Sequence, residues 1–213
     1  MQSLGYSTGV YMPVQTGAVE NNGYIEAPDL VYIKNIDKNI KTYCSYLFRE
    51  DDVPLIAAAK EHTKIDRETI SEDYKSVHDD FECFLTLGTN GMATPVGNNF
   101  LEIDVVKVLD LPVLFTISPY TAINDILVMI NHAVVQKVKI SGVVLYDCPY
   151  RTENENIKNL PKLIEKYTDT SVVGAFPKIE NIYTLNPGDL ISYVLSGVNL
   201  ERLFDVKIAK LNY

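Results

Sequence analysis

Four stretches of this chain carry residues whose types and spacing suit ligand chemistry. Tyr11-Met12-Pro13-Val14-Gln15-Thr16-Gly17 reads as the end of a buried strand running into a polar loop that closes on glycine. Gly88-Thr89-Asn90-Gly91 is a second glycine-bearing loop. There Gly88 and Gly91 either let a ligand approach the backbone or satisfy a positive φ. Asn124 opens a long helical periodicity, and its amide can donate to a carboxylate beside the first N–H groups of that helix. Asp29, just after Pro28, reads as a helix N-cap. His78-Asp79-Asp80 has metal-binding residue types, but adjacent side chains rarely converge on one ion, and a solvated loop is the simpler reading. His62 and His132 fall late in helices, where their simplest role is to stabilise the helix end.

These residues need elements that hold them. Short apolar runs alternate with helical periodicities, the pattern of a parallel sheet covered on both faces. Strands are expected over residues 9–14, 43–48, 81–87, 112–117, 142–146 and 172–176. Helices are expected over 54–62, from Asp66, over 100–109, 121–137 and 153–167, from Pro187, and in the tail from Asn199 with Leu203, Phe204 and Ile208. In an open α/β sheet, ligands bind beyond the carboxyl ends of the strands. The loops 15–17, 88–91, 118–122, 146–149 and 177–180 all belong to that edge.

Composition narrows the partners. The 213 residues suffice for one α/β domain, with 46% hydrophobic and 22% charged content. The formal net charge of −9 argues against nucleic acid. No apolar run reaches the roughly 20 residues of a membrane span, and the N-terminus lacks a signal-peptide pattern. Cys44, Cys83 and Cys148 are far apart and read as buried free thiols of a cytoplasmic protein.

Several of these segments, in order, resemble the dethiobiotin synthetase family. Tyr11–Gly17 is similar to its Y-K-P-V-x-[ST]-G segment. Val53-Pro54-Leu55-Ile56-Ala57-Ala58 resembles S-P-H-x-A-A. Leu87-Gly88-Thr89-Asn90-Gly91 stands where the family has E-G-A-G-G. Asp110-Leu111-Pro112-Val113-Leu114 is similar to its L-P-V strand, and Ala122-Ile123-Asn124-Asp125 to G-x-I-N-H. Gly142-Val143-Val144-Leu145-Tyr146 resembles G-V-V-x-N, and Gly174-Ala175-Phe176-Pro177 resembles G-x-I-P.

The resemblance implies a doubly wound, mostly parallel α/β fold of the P-loop type. It implies a cyclic urea synthesis from 7,8-diaminononanoate and carbon dioxide, driven by ATP with magnesium. It implies Thr16, Gly17, Gly88, Gly91 and Asn124 as substrate-binding, Asp29 as a magnesium ligand, and Tyr146 and Pro177 as nucleotide-binding. It also implies a homodimer in which Asn124 approaches the 16–17 loop of a second copy. The departures are equally specific. Met12 replaces the family's lysine, Leu87 its glutamate, Asp125 its histidine, and Tyr146 the asparagine that reads the base. The segment G-x-x-x-x-G-K-[ST] with its strand has no counterpart here, so the sequence reads as a single domain truncated at its N-terminus. Two further readings stand beside the enzyme: a degenerate relative that keeps the fold without ATP chemistry, and another ATP-dependent synthetase of the same superfamily.

Overall fold

The computed structural model describes residues 1–204. The chain falls into two compact units, Met1–Asp110 and Leu111–Tyr213.

In the first unit, β1 (Thr8–Gln15) is followed by the hairpin β2 (Val19–Asn21) and β3 (Tyr24–Glu26), then α1 (Pro28–Ile36) and β4 (Lys41–Leu47). Next come α2 (Pro54–Lys60), α3 (Arg67–Val77) and β5 (Cys83–Thr86). A small hairpin, β6 (Pro95–Gly97) with β7 (Phe100–Leu101), leads into α4 (Glu102–Leu109). The sheet order is β4-β1-β5, all parallel. β1 is the middle strand, which is why all eight of its residues are buried.

Strand alternation sorts β1 between two faces. Val10 and Met12 pack with Ala27 and Leu30 at the start of α1. Tyr11 points the other way, stacking on Phe84 and tilting against Tyr74 of α3, with ring centroids 6.4 and 5.8 Å apart. Its hydroxyl donates to the Ile70 carbonyl at 3.1 Å and shares a 2.6 Å hydrogen bond with Ser45. Gly9 is required by packing, because a Cβ there would lie 2.5 Å from the Phe84 ring.

In the second unit, β8 (Val113–Ile117) is followed by α5 (Ile123–Val135), β9 (Ile140–Cys148), α6 (Glu155–Thr168) and β10 (Val172–Pro177), then α7 (Pro187–Gly197) and α8 (Leu200–Phe204). Its sheet order is β10-β9-β8, again parallel. Ile126, Ile130 and Ala133 of α5 and Ile164 of α6 have no exposed surface. Each such isoleucine contributes about 2 kcal/mol of burial.

The six expected strands are all present, and they pair within two three-stranded sheets. β9 extends two residues beyond the 142–146 reading at each end: Ile140 already pairs with Val113, and Asp147 adopts φ 56, after which pairing resumes at Cys148. β5 is shorter than the 81–87 reading: Phe81 ends a 3-10 turn, and Leu87 lies past the last paired residue. Both hairpins went unseen in the sequence, being only two or three residues per strand. Ala27, not Asp29, caps α1, and Asp29 sits in its first turn. The tail helix covers Leu203 and Phe204; Ile208 lies outside the described residues.

Candidate functional site

β1 delivers its loop at the carboxyl edge of the first unit. Gln15 ends the strand, 3% exposed, and its Oε1 has no hydrogen-bond partner. Thr16 is half-buried, and Gly17 adopts φ 70. The Gly17 N–H donates to the Glu50 carbonyl at 3.0 Å, and the Ala18 N–H to the Phe48 carbonyl at 2.8 Å. A Cβ on Gly17 would sit 3.3 Å from an Asp51 carboxylate oxygen. Lys60 holds the flanking acids, donating to Glu50 at 2.9 Å and Asp52 at 3.2 Å. Thr16 and Gly17 are therefore set in an acidic surround that sequence reading passed over. The signal was available in the run Glu50-Asp51-Asp52 directly after β4.

The glycine loop follows β5. Gly91 adopts φ 134, a region that favours glycine. Gly88 has no such φ; it is small because Glu102 lies over it, with Oε1 3.2 Å from where a Cβ would stand. Glu102 opens α4, is 7% exposed, and accepts the Thr89 hydroxyl at 2.8 Å. Burial pushes its proton affinity up, only partly offset by the two hydrogen bonds from Thr89. Sequence reading did not single out Glu102. An acid between Leu101 and Ile103 in an apolar run was its signal.

Two family positions meet in a different chemistry. Met12 is 7% exposed in the apolar cluster with Val10, Ala27 and Leu30, and Leu87 packs against that same cluster. Methyl and methylene groups thus fill the place that the resemblance assigns to a lysine and a glutamate. Asp29 is exposed in the first turn of α1. Among the described residues, no three His, Cys, Asp or Glu side chains gather as a metal site. This donor set does not fit a magnesium ion held by several carboxylates.

All three thiols are free, but only Cys83 is buried as the sequence suggests; Cys44 and Cys148 are half-buried. Burial pushes Cys44 up to about 11, and Cys83 and Cys148 also move up through burial. None is poised as a thiolate. His78 forms a short 3-10 turn with its acids and stacks on Tyr74 at 4.7 Å, as a structural ring.

In the second unit, Asn124 lies in the first turn of α5, exposed, with its amide donating to the Asp125 carboxylate at 3.2 Å. The preceding loop is a turn closed by the Thr121 N–H on the Ser118 carbonyl at 3.0 Å, with Tyr120 66% exposed. Tyr146 stands within β9, exposed, not in the loop after it. Pro177 ends β10 and pairs with Cys148. Tyr146 and Pro177 are thus brought to the same end of adjacent strands. The first unit holds Thr16, Gly17, Asp29, Gly88 and Gly91; the second holds Asn124, Tyr146 and Pro177.

Known proteins resemble this chain. A family model described as an AAA domain covers residues 1–184. The ATP-dependent dethiobiotin synthetase BioD of Bacillus cereus (strain G9842) is 27% identical over 184 residues, 86% of this chain and 76% of that protein. The BioD of Bacillus licheniformis is 26% identical over 177 residues, 81% of this chain and 74% of that protein. Among solved structures, the MinD cell division protein of Aquifex aeolicus superposes with a TM-score of 0.54 at 14% identity, covering 97% of this chain and 88% of that one. The MinC:MinD complex of the same organism gives 0.56 at 13% identity, covering 99% and 88%. At such identities the structural likeness speaks for the fold, a P-loop NTPase type. With ordered motifs at its strand ends and a family model over most of its length, this chain belongs to the dethiobiotin synthetase family.

Proposed function

We propose that this chain is a dethiobiotin-synthetase-like protein of biotin metabolism that keeps ligand-binding loops but lacks, on its own residues, the phosphoryl chemistry of the family. One observation carries this reading: Met12 and Leu87 occupy one apolar cluster. Phosphoryl transfer is catalysed by positive charge around the transferring oxygens and by metal-bound carboxylates. A thioether and an isobutyl group supply neither. Retained in exposed or half-buried positions are Thr16, Gly17, Gly88 and Gly91 in the first unit, suited to meet a small polar ligand, and, in the second unit, Asn124. The chemistry of that ligand follows the family: a 7,8-diaminononanoate-like amino acid, bound without magnesium ligation by Asp29.

A second reading is full dethiobiotin synthetase activity, with ATP and magnesium closing a cyclic urea on 7,8-diaminononanoate and carbon dioxide. The order of the family segments, including the 88–91 loop and the end of β10 at Pro177, favours it. Calorimetry separates the two. Under the first reading the chain binds 7,8-diaminononanoate and is indifferent to ATP–magnesium. Micromolar ATP–magnesium binding with phosphate release in the presence of substrate would overturn it.

The same reading makes the protein cytoplasmic, as the family resemblance implies. It also makes the protein a homodimer through the N-terminal part of α5. Support comes from Val128, an apolar side chain on that helix that is 60% exposed one turn after Asn124.

A further inference from the structure

Glu102 has no role in the family resemblance, yet it is the most deeply buried carboxylate among the described residues, 7% exposed. Its neighbours define what it does. Oε2 accepts the Thr89 hydroxyl at 2.8 Å, and the Thr89 backbone N–H also bonds to the carboxylate. Oε1 lies over Gly88, 3.2 Å from an added Cβ. Two donors of one residue therefore point at one carboxylate, and the residue before it has no side chain to block them.

The other end of this arrangement is fixed as well. The Glu102 N–H donates to the Thr94 carbonyl at 2.9 Å, and the Ile103 N–H to the Met92 carbonyl at 3.0 Å. The first turn of α4 thus grips both sides of the 88–91 loop: Thr89 through a side chain, and Met92 and Thr94 through the backbone. The Leu101 N–H donates to the Asp104 carboxylate at 2.9 Å and so helps set that turn.

Face matters too. Phe84 and Thr86 share one face of β5, and Phe84 stacks on Tyr11, on the side covered by α3. α4 packs on α3, so Glu102 reaches the loop from that side. Leu87 faces the opposite way, into the cluster beneath α1. Glu102 does not restore the carboxylate that Leu87 lacks. It acts on the loop from behind.

We propose that Glu102 is a positioning residue that clamps Thr89 and so fixes the conformation of the 88–91 loop. The clamp presents the Gly88 and Gly91 backbone in one shape; its bearing on ligand binding rests on the reading above, in which this loop meets the ligand. A carboxylate holds such a loop better than a neutral acceptor, because hydrogen bonds to a charged group are shorter and stronger. Its buried setting removes the competing water.

The test is backbone amide exchange on the full chain, with no ligand present. Thr89→Val deletes the hydroxyl donor while keeping shape. Exchange of the 88–91 amides should rise at least tenfold, while those of β1 and α3 keep their rates. Thr89→Ser, which retains the hydroxyl, should restore the original protection. Glu102→Gln should loosen the loop less than Glu102→Ala. Unchanged loop exchange in both Thr89→Val and Glu102→Gln would overturn the clamp, as would Thr89→Ser behaving like Thr89→Val. Binding of 7,8-diaminononanoate is measured separately by calorimetry. Failure of the wild type to bind it would defeat the ligand reading, while the exchange result still decides the clamp.

Discussion

Asn124 turns its side-chain amide onto Asp125 at 3.2 Å, so the donor that the family resemblance directs at substrate is engaged by its own neighbour. The carboxylate beside it also opposes an anionic ligand, although an acid in a helix's first turn favours the helix dipole. Asp125→Ala should therefore tighten binding of the carboxylate-bearing probe 7,8-diaminononanoate about 5-fold, on the scale of one nearby charge. The melting temperature should fall slightly in the same variant. Titration calorimetry beside a thermal scan reads both, and unchanged affinity would show that Asn124 does not meet the ligand.

Met12 lies in an apolar cluster with Leu87 packed against it. Restoring only the lysine buries an ammonium among methyl groups. Met12→Lys should cost about 3 kcal/mol of stability, the scale of an uncompensated buried charge. The double variant Met12→Lys/Leu87→Glu should recover part of that loss, because the two charges then meet. Denaturant unfolding of the two singles and the double gives the coupling directly. Additive losses would mean that the two side chains do not face one another.

Glu102 makes stability depend on pH in a predictable direction. Burial raises its folded-state pKa above the usual 4.5. The folded state therefore holds the proton more tightly than the unfolded chain, and stability falls as pH rises from about 4.5. The contribution is full below that value and lost once pH passes the raised folded pKa. Glu102→Gln removes this slope. Unfolding curves taken in half-unit steps from pH 4 to pH 8 should show the wild type and variant diverging in slope in that window; parallel curves would contradict the assignment.

The proposed homodimer rests on α5. Val128 is 60% exposed on that helix, and Asn124 lies one turn before it on the same side. Val128→Asp should convert a homodimer into a monomer in light scattering at micromolar concentration, with the circular dichroism spectrum unchanged. A wild-type monomer, or a dimer indifferent to this change, would rule out the proposed interface.

Much of the fold was legible because strand chemistry is local. Leu114-Phe115-Thr116-Ile117 and Val143-Val144-Leu145 have the continuous apolar character of buried parallel strands, and both are strands. α5 announced itself through Ile123, Ile126, Leu127 and Ile130 at helical spacing. Asp29 was misread as a cap because proline at the first helical position leaves the cap to the residue before it, Ala27. The site was less legible. That Gly88 serves a carboxylate fourteen positions later in the chain is a tertiary fact with no local trace. Nor does the sequence of Met12 reveal that Leu87 will be its neighbour, since parallel pairing joins residues separated by a crossover.

The outer strands of the two sheets carry a consequence for handling the protein. β5 (Cys83–Thr86) and β8 (Val113–Ile117) each end the hydrogen-bonded order of their sheet, and neither contains a charge or a proline. Leu85 and Leu114 are 41% and 36% exposed on them. Such strands lack the devices by which β proteins keep from pairing with one another. Strand-to-strand association between molecules is then the expected result of concentrating the protein, and a lysine placed at Leu85 or Leu114 should raise the concentration at which light scattering first detects it.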